Sequence, residues 1–363
     1  MSQQQAWEGY RPFVVVRKVP ESATVTSFYL EPRDGAALAP YQPGQFIGLK
    51  LDVPGQIVPV MRSYTLSDSP ACTDHYRLSI KREPAPADNP DAPAGAASNY
   101  MHDHVEEGTV LQLRAPGGQL VLRPEGKGPV VLLAGGIGCT PLISMVTAIA
   151  DAGSTRDVWF IHGVRNGAEH AFGATVRELA KAHPNIRVHV RYSRPAEGDA
   201  DFDSTGHVDM ALLKELLPGT GPQFYLCGAT PFMKALYQGL VDWGVDPFQI
   251  NYEFFGDACD LLGRDAEPAP AEGDGSEESH QVTFQGSGVT AAWTPASGTL
   301  LDLAEANGVA APSSCRSGIC HTCLCNVVAG GFAYTHDDII PAAGDDEILI
   351  CSARPTSDLT LDI

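Results

Sequence analysis

Hydrophobic and polar positions alternate along the first third of the chain. "RPFVVVRKV", "VTSFYLEP", "GQFIGLKLDV", "YRLSIKRE" and "TVLQLRAP" set β-branched and aromatic residues at alternate positions or in short runs, with Gly and Pro between them. A period of two broken by turn residues predicts short antiparallel strands, so residues 10–125 are expected to form an all-β barrel or sandwich. The Pro/Ala-rich stretch "EPAPADNPDAPAGAAS" interrupts them as a long loop.

The period then changes. "VVLLAGG" is wholly apolar and is followed by a helical stretch, "PLISMVTAIADAG"; "DVWFIHGVR", "RVHVRYSR" and "QFYLCGA" repeat the arrangement. Buried strands alternating with helices predict a doubly wound parallel sheet over residues 126–262. Residues 263–280, "GRDAEPAPAEGDGSEESH", carry almost no apolar bulk and read as an acidic, flexible linker. Residues 281–363 predict a third, small α+β unit: a hairpin in "QVTFQGSGVTAAWT", a helix around "TLLDLAEANG", then a cysteine-rich loop.

Composition agrees with several globular cores. The 363 residues exceed one ordinary domain, and 44% are hydrophobic against 19% charged. A formal net charge of −20 argues against nucleic acid or an anionic membrane surface as partner. The start, "MSQQQAWEGYRPF", lacks a basic region followed by an apolar run, so no secretory signal and a cytoplasmic location are expected. Residues 129–150 carry no charge, yet Gly135, Gly136, Gly138 and Pro141 fall at their centre, which favours strand, loop and helix over a membrane span. Nine cysteines without an export signal point to a reducing compartment and to metal ligation rather than disulfides.

Four of those cysteines have informative spacing. Cys315, Cys320 and Cys323 follow C-x4-C-x2-C, and Cys351 comes after a long gap. This is the plant-type [2Fe–2S] spacing, in which one tight loop supplies three thiolates and a distant segment the fourth. Small residues, Ser317 and Gly318, let backbone amides approach the cluster's sulfides. The alternatives are a zinc site, which ordinarily shows two C-x2-C pairs, and unligated thiols. Cys325, two residues beyond a ligand, is expected to be a small packed thiol. The segment resembles plant-type ferredoxin domains throughout; His321 departs from the Gly or Ala commoner there.

In "LLAGGIGCTPLISM" the glycines stand between an apolar strand and a helix, where backbone amides and the helix N-terminus favour a pyrophosphate. Residue 141 is Pro, so the strict G-x-G-x-x-G is absent, and the loop alone fits a structural turn equally well. Cys227 and Gly228 end a later strand, where such sheets line their ligand crevice. Together GGIGCTPL and CGATPFM resemble the ferredoxin-NADP reductase superfamily. The resemblance implies that Gly136, Gly138, Thr140 and Pro141 hold the nicotinamide cofactor's pyrophosphate, with Cys227 and Gly228 beside the nicotinamide. "MRSYTLSDSP" is similar to the family's R-x-Y-[ST] flavin motif. It implies a flavin-binding strand of Arg62, Ser63, Tyr64 and Thr65, with Arg62 on a flavin phosphate, Tyr64 against the ring and Thr65 facing its reactive nitrogen. "GAASNYMHDHV" resembles the phosphate-binding G-x-x-S turn, implying roles for Gly95 and Ser98; His102 and His104 are expected on that helix's surface. "YEFFGDA" resembles the segment closing the flavin site in flavohaemoglobin reductase domains, implying Glu253 and Phe255 near the ring. The catalytic set so implied is Thr65, Cys227 and Glu253.

The order flavin, nicotinamide, ferredoxin is similar to that of phthalate dioxygenase reductase-type oxygenase reductases. It implies hydride transfer from NAD(P)H to flavin, then single electrons through the cluster to a protein acceptor such as an oxygenase component. Residues 281–363 hold nine acidic residues against two arginines, net −7, so the acceptor is expected to carry a basic docking patch. A free-standing reductase of small acceptors and a nicotinamide-responsive redox sensor are the alternatives. The flavohaemoglobin-like motifs favour FAD, the domain order FMN. NADH is favoured over NADPH, although Ser193 and Arg194 could meet a 2′-phosphate.

Overall fold

The computed structural model describes residues 7, 9–56, 59–85, 94–122, 127–254, 279–309, 311, 318, 323–335 and 346–363. The chain divides into two compact units, one containing Tyr64–Phe255 and the other Arg264–Ile363.

The first unit begins with β1 (Arg11–Pro20), β2 (Val25–Pro32), β3 (Phe46–Leu51), β4 (Val60–Thr65), β5 (Tyr76–Lys81), α1 (Ala96–His104) and β6 (Val110–Leu113). The strands run in the order β4-β3-β6-β1-β2-β5. A bridge from Leu66 to Leu78 and a 2.9 Å bond from Ser67 N–H to the Arg77 carbonyl join the two edges, closing the sheet into a barrel. Alternation sets the inside: Phe13 and Val15 are fully buried, while Val16, at the irregularity of β1 between Val15 and Arg17, is 39% exposed. Phe28, Leu30, Ile47, Leu49, Tyr76 and Leu78 complete the barrel core.

The same unit continues with β7 (Val130–Gly135), α2 (Cys139–Asp151), β8 (Val158–Val164), α3 (Gly173–Ala182), β9 (Ile186–Tyr192), β10 (Ser204–Thr205), α4 (Met210–Leu216), β11 (Gln223–Gly228), α5 (Thr230–Trp243) and β12 (Ile250–Phe254). Their sheet runs β10-β9-β8-β7-β11-β12, with parallel pairing throughout. Successive strands step outward from β7 on one side, then the chain returns to lay β11 on the other. That reversal opens a crevice at the carboxyl ends of β7 and β11. Helices α2 and α3 pack on one face; α4 and α5 pack on the other.

The second unit holds β13 (His280–Phe284), β14 (Val289–Trp293), α6 (Leu300–Ala306), β15 (Leu324–Ala329), β16 (Phe332–Tyr334), β17 (Glu347–Leu349), β18 (Ala353–Pro355) and β19 (Leu359–Leu361). The main sheet is mixed, β14-β13-β19-β15-β17, with β13 and β19 parallel; β16 and β18 pair separately. Thr299 and Asp302 form a reciprocal capping box at the start of α6, satisfying orphan amides there. Leu300, Leu301, Leu303 and Ala304 turn into the core with Val282, Phe284 and Trp293.

Candidate cofactor sites

The crevice at the ends of β7 and β11 is a cleft of about 530 Å³. Gly135, Gly136, Ile137 and Gly138 line one wall; Gly228, Ala229 and Phe232 line another. The glycines serve different needs. Gly136 takes φ +54 with open space around the position of a Cβ, so its backbone conformation demands glycine. Gly138 has an ordinary φ, but a Cβ there would overlap the Cys227 carbonyl and come within 2.6 Å of the Gly228 nitrogen. A Cβ on Gly228 would in turn lie 3.0 Å from the Gly135 Cα. The loop and the end of β11 therefore pack backbone on backbone. Bare backbone ahead of a thirteen-residue helix fits an anionic pyrophosphate.

His162 on β8 fixes this loop from behind. Its Nε2 stands 3.0 Å from the Gly136 carbonyl, which accepts its N–H. Burial, with His170 nearby, pushes the His162 pKa down to about 3, so the ring stays neutral. A histidine inside the otherwise apolar run "VWFIHGV" was the available sequence signal for this residue.

Cys227 is fully buried at the end of β11, in register with Glu253 on β12. Burial raises its thiol pKa well above the ordinary value, and the Glu253 carboxylate adds to the shift. Cys227 is thus held as a neutral thiol, unsuited to nucleophilic work. Thr140 and Pro141 lie inside the first turn of α2; the Thr140 hydroxyl donates to the Ile137 carbonyl at 3.2 Å. They shape the loop from within, while Gly136, Gly138 and Gly228 face the cleft.

Sequence reasoning missed much of the opposite wall. Thr24, Lys81 and Glu83 of the barrel line the cleft, as do Arg165, Glu169 and His207. Arg165 sits 3.6 Å from Glu169 with its side chain 57% exposed. Ser193 reaches the cleft, whereas Arg194 is exposed.

On β4, Arg62 is exposed, and Ser63 and Tyr64 are half-buried. Thr65 is 5% exposed, and its hydroxyl has no hydrogen-bond partner among the described residues. A buried hydroxyl left unanswered among the described residues fits a strand that receives a polar cofactor. Ser98 is buried, accepts from Glu83 N–H at 3.2 Å and donates to the Gly95 carbonyl at 3.1 Å. Its hydroxyl ties the start of α1 to the end of β5. His102 is half-buried rather than fully exposed. Its ring lies 2.9 Å from the Ile80 carbonyl, and burial lowers its pKa.

In the second unit, Cys323 and Cys351 are buried at 3% and 5% exposure. Gly318 N–H points at Cys351 Sγ from 3.3 Å, and the Ser352 hydroxyl lies 3.3 Å from the same sulfur. Donors converging on a buried sulfur suit a thiolate ligand. Cys325 packs in the core, where burial pushes its pKa up to about 12. Cys315, Cys320, Phe255 and nearly all of the linker segment lie outside the described residues.

Comparison with known proteins agrees with these three regions. Family models match in chain order: an oxidoreductase FAD-binding domain over residues 12–122, an oxidoreductase NAD-binding domain over 132–238, and a 2Fe-2S iron-sulfur cluster binding domain over 282–356. A flavohemoprotein from Halalkalibacterium halodurans is 44% identical over 258 residues, covering 70% of this chain; the chain spans 62% of that relative's length. The flavohem-like FAD/NAD binding domain of nitric oxide dioxygenase from Vibrio cholerae superposes with a TM-score of 0.61 at 35% identity, over 68% of this chain and 98% of that one. Phthalate dioxygenase reductase, at 22% identity, shares the fold over 98% of both chains with a TM-score of 0.60. Bare glycine backbone at a parallel-sheet crevice, a closed antiparallel barrel and a buried cysteine pair in a mixed sheet thus belong to one lineage: the chain is a member of the ferredoxin-NADP reductase superfamily, with FAD-binding, NAD-binding and 2Fe-2S domains in that order.

Proposed function

We propose that the chain is an NAD(P)H oxidoreductase that passes electrons to a protein acceptor, an oxygenase component being the acceptor class best supported. The observation that carries this is the joining of a reductase module to a cysteine-bearing domain whose buried Cys351 sulfur receives an amide and a hydroxyl. When bound, a flavin takes up two electrons with a hydride and releases them singly, and a [2Fe–2S] cluster accepts one at a time.

The chain's own residues set the conditions. Gly136, Gly138 and the α2 N-terminus offer amides and a positive dipole end to a pyrophosphate. Cys227, fully buried next to the cleft-lining Gly228, adds no charge there, because burial keeps it protonated. Arg62 offers a forked donor to a phosphate, and Thr65 a hydroxyl inside the barrel wall. Cys315, Cys320, Cys323 and Cys351 are the proposed cluster ligands. The excess of acid in residues 281–363 supports a basic docking patch on the acceptor.

Cys320→Ser tests the reading. With NADH as donor, cytochrome c reduction should fall at least a hundredfold while ferricyanide reduction persists. Equal loss of both, or of neither, rejects the cluster as the exit to protein acceptors.

A further inference from the structure

Two buried histidines stand in a row behind the glycine loop. His162 of β8 is 2% exposed, and His170, just ahead of α3, is 8% exposed. Their rings meet edge to face, centroids 5.3 Å apart at 67°. His170 also sets its Nδ1 2.9 Å from the hydroxyl of Tyr192, the last residue of β9. Gly173 closes in on the same ring: a Cβ there would lie 2.8 Å from Cε1 and 3.0 Å from Nδ1. The contacts thus run Tyr192, His170, His162 and then the Gly136 carbonyl, 3.0 Å from His162 Nε2. Neither histidine is among the residues lining the cleft.

Counting protons gives the row a direction. Burial lowers the pKa of both histidines, so each ring is neutral and carries one N–H. Burial also pushes the Tyr192 pKa up to about 12, so its hydroxyl keeps its proton. A carbonyl only accepts, which puts the His162 proton on Nε2. His170 has two choices. With its proton on Nδ1 it would donate to Tyr192, and both the Tyr192 proton and the bare, buried Nε2 would go unanswered among the described residues. With its proton on Nε2, Tyr192 donates to Nδ1 and a single group is left over. The second arrangement leaves fewer buried groups unmet. Since Tyr192 and Gly173 occupy the Nδ1 and Cε1 corners, the Nε2 side is the one left for the His162 ring, whose π face can receive an N–H.

We propose that His170 and His162, each with its proton on Nε2, are positioning residues for the nicotinamide coenzyme, carrying the anchor of Tyr192 through to the Gly136 carbonyl. Gly136, at φ +54 with open space about it, has nothing of its own to fix its peptide plane. The His162 N–H holds the carbonyl behind the loop. Swung into the cleft, that carbonyl would set its negative end against a pyrophosphate. Neither ring touches the coenzyme; both act through the backbone. The inference rests on reading this cleft as the pyrophosphate site.

Ferricyanide reduction by holoprotein over a range of NADH concentrations tests it, with flavin content as the check on folding. His162→Phe fills the same space but cannot donate; it should raise the KM for NADH at least fivefold with kcat within twofold of wild type. His162→Gln, whose amide can still donate, should recover most of that loss, and Tyr192→Phe should raise KM at least twofold. A KM unmoved in His162→Phe, or raised equally in His162→Phe and His162→Gln, overturns the proposal. Ala229→Trp, which fills the cleft from its other wall, separates the two readings. If it raises the NADH KM and His162→Phe does not, the cleft stands and the positioning role falls; if it changes nothing, the cleft is not the coenzyme site and both fall. A second measurement needs no turnover: two-bond proton–nitrogen correlation spectra of histidine-labelled holoprotein at pH 7 should show His162 and His170 neutral with the proton on Nε2. A proton on Nδ1 of either ring overturns the relay.

Discussion

Gly138 and Cys227 meet backbone to backbone, so closely that a single methyl group on Gly138 has nowhere to go. Neither partner can yield, since Cys227 is held in the sheet between β7 and β12. Gly138→Ala should cost about 3 kcal/mol, the upper end of overpacking, and lower the melting temperature of the flavin unit by roughly 6–12 °C. Gly136→Ala meets only open space, so its cost is the left-handed backbone alone, about 1–2 kcal/mol. Melting followed by flavin fluorescence checks the order. If Gly136→Ala proves the more damaging, this account of the loop is wrong.

His162 gives the first unit an acid-sensitive support. Its folded pKa is depressed to about 3, whereas the unfolded chain takes up the proton near 6.5. The unfolded state therefore binds more protons between those values, and stability falls as pH drops from 6.5 toward 3 by up to about 1.4 kcal/mol per unit. His170, its pKa also lowered by burial, adds in the same sense. His162→Gln removes the titration and can still donate to the Gly136 carbonyl. Its urea midpoint should change less between pH 7.5 and pH 5 than that of wild type; an identical acid loss would clear His162 of the role.

Strands and helices were legible because their signal is periodic and local: the alternation of β1 and the apolar run of β7 each declare a burial pattern without help from the rest of the chain. The glycine loop was legible for the same reason. What escaped is non-local. Lys81 and Glu83 reach the cleft only because the barrel folds beside the parallel sheet. Ser98, in a phosphate-turn motif, spends its hydroxyl on Glu83 and Gly95, a choice set by the approach of β5. His102 looked like a polar residue on an amphipathic helix until the Ile80 carbonyl was brought beneath it. Phe172 adopts φ 64 at the start of α3, with its ring buried against Arg77, a contact no local pattern encodes.

Charge should govern transfer to a protein acceptor. The net −7 of residues 281–363 acts at a docking surface exposed to solvent, where ions screen it over about 10 Å at 0.1 M salt. Raising sodium chloride from about 50 to 500 mM should slow cytochrome c reduction several-fold and leave ferricyanide reduction by the flavin little changed. A protein-acceptor rate flat across that range would remove electrostatic docking from the proposal.

Ser352 should tune the cluster. Its hydroxyl is buried at 3% exposure and lies 3.3 Å from Cys351 Sγ, where it donates once that sulfur is a thiolate. Such a bond favours the more negative, reduced form, because added charge on the sulfur strengthens it. Removing it in Ser352→Ala should lower the cluster's midpoint potential. A tenfold change in a one-electron equilibrium is about 59 mV, so a net loss near 1 kcal/mol corresponds to roughly 40 mV. Redox titration followed by electron paramagnetic resonance measures it. Gly318 N–H remains as a donor to the same sulfur in the variant, so the cluster should assemble normally and shift without being lost. A midpoint that rises or stays put would mean the hydroxyl is turned away from Cys351 when the metal is bound.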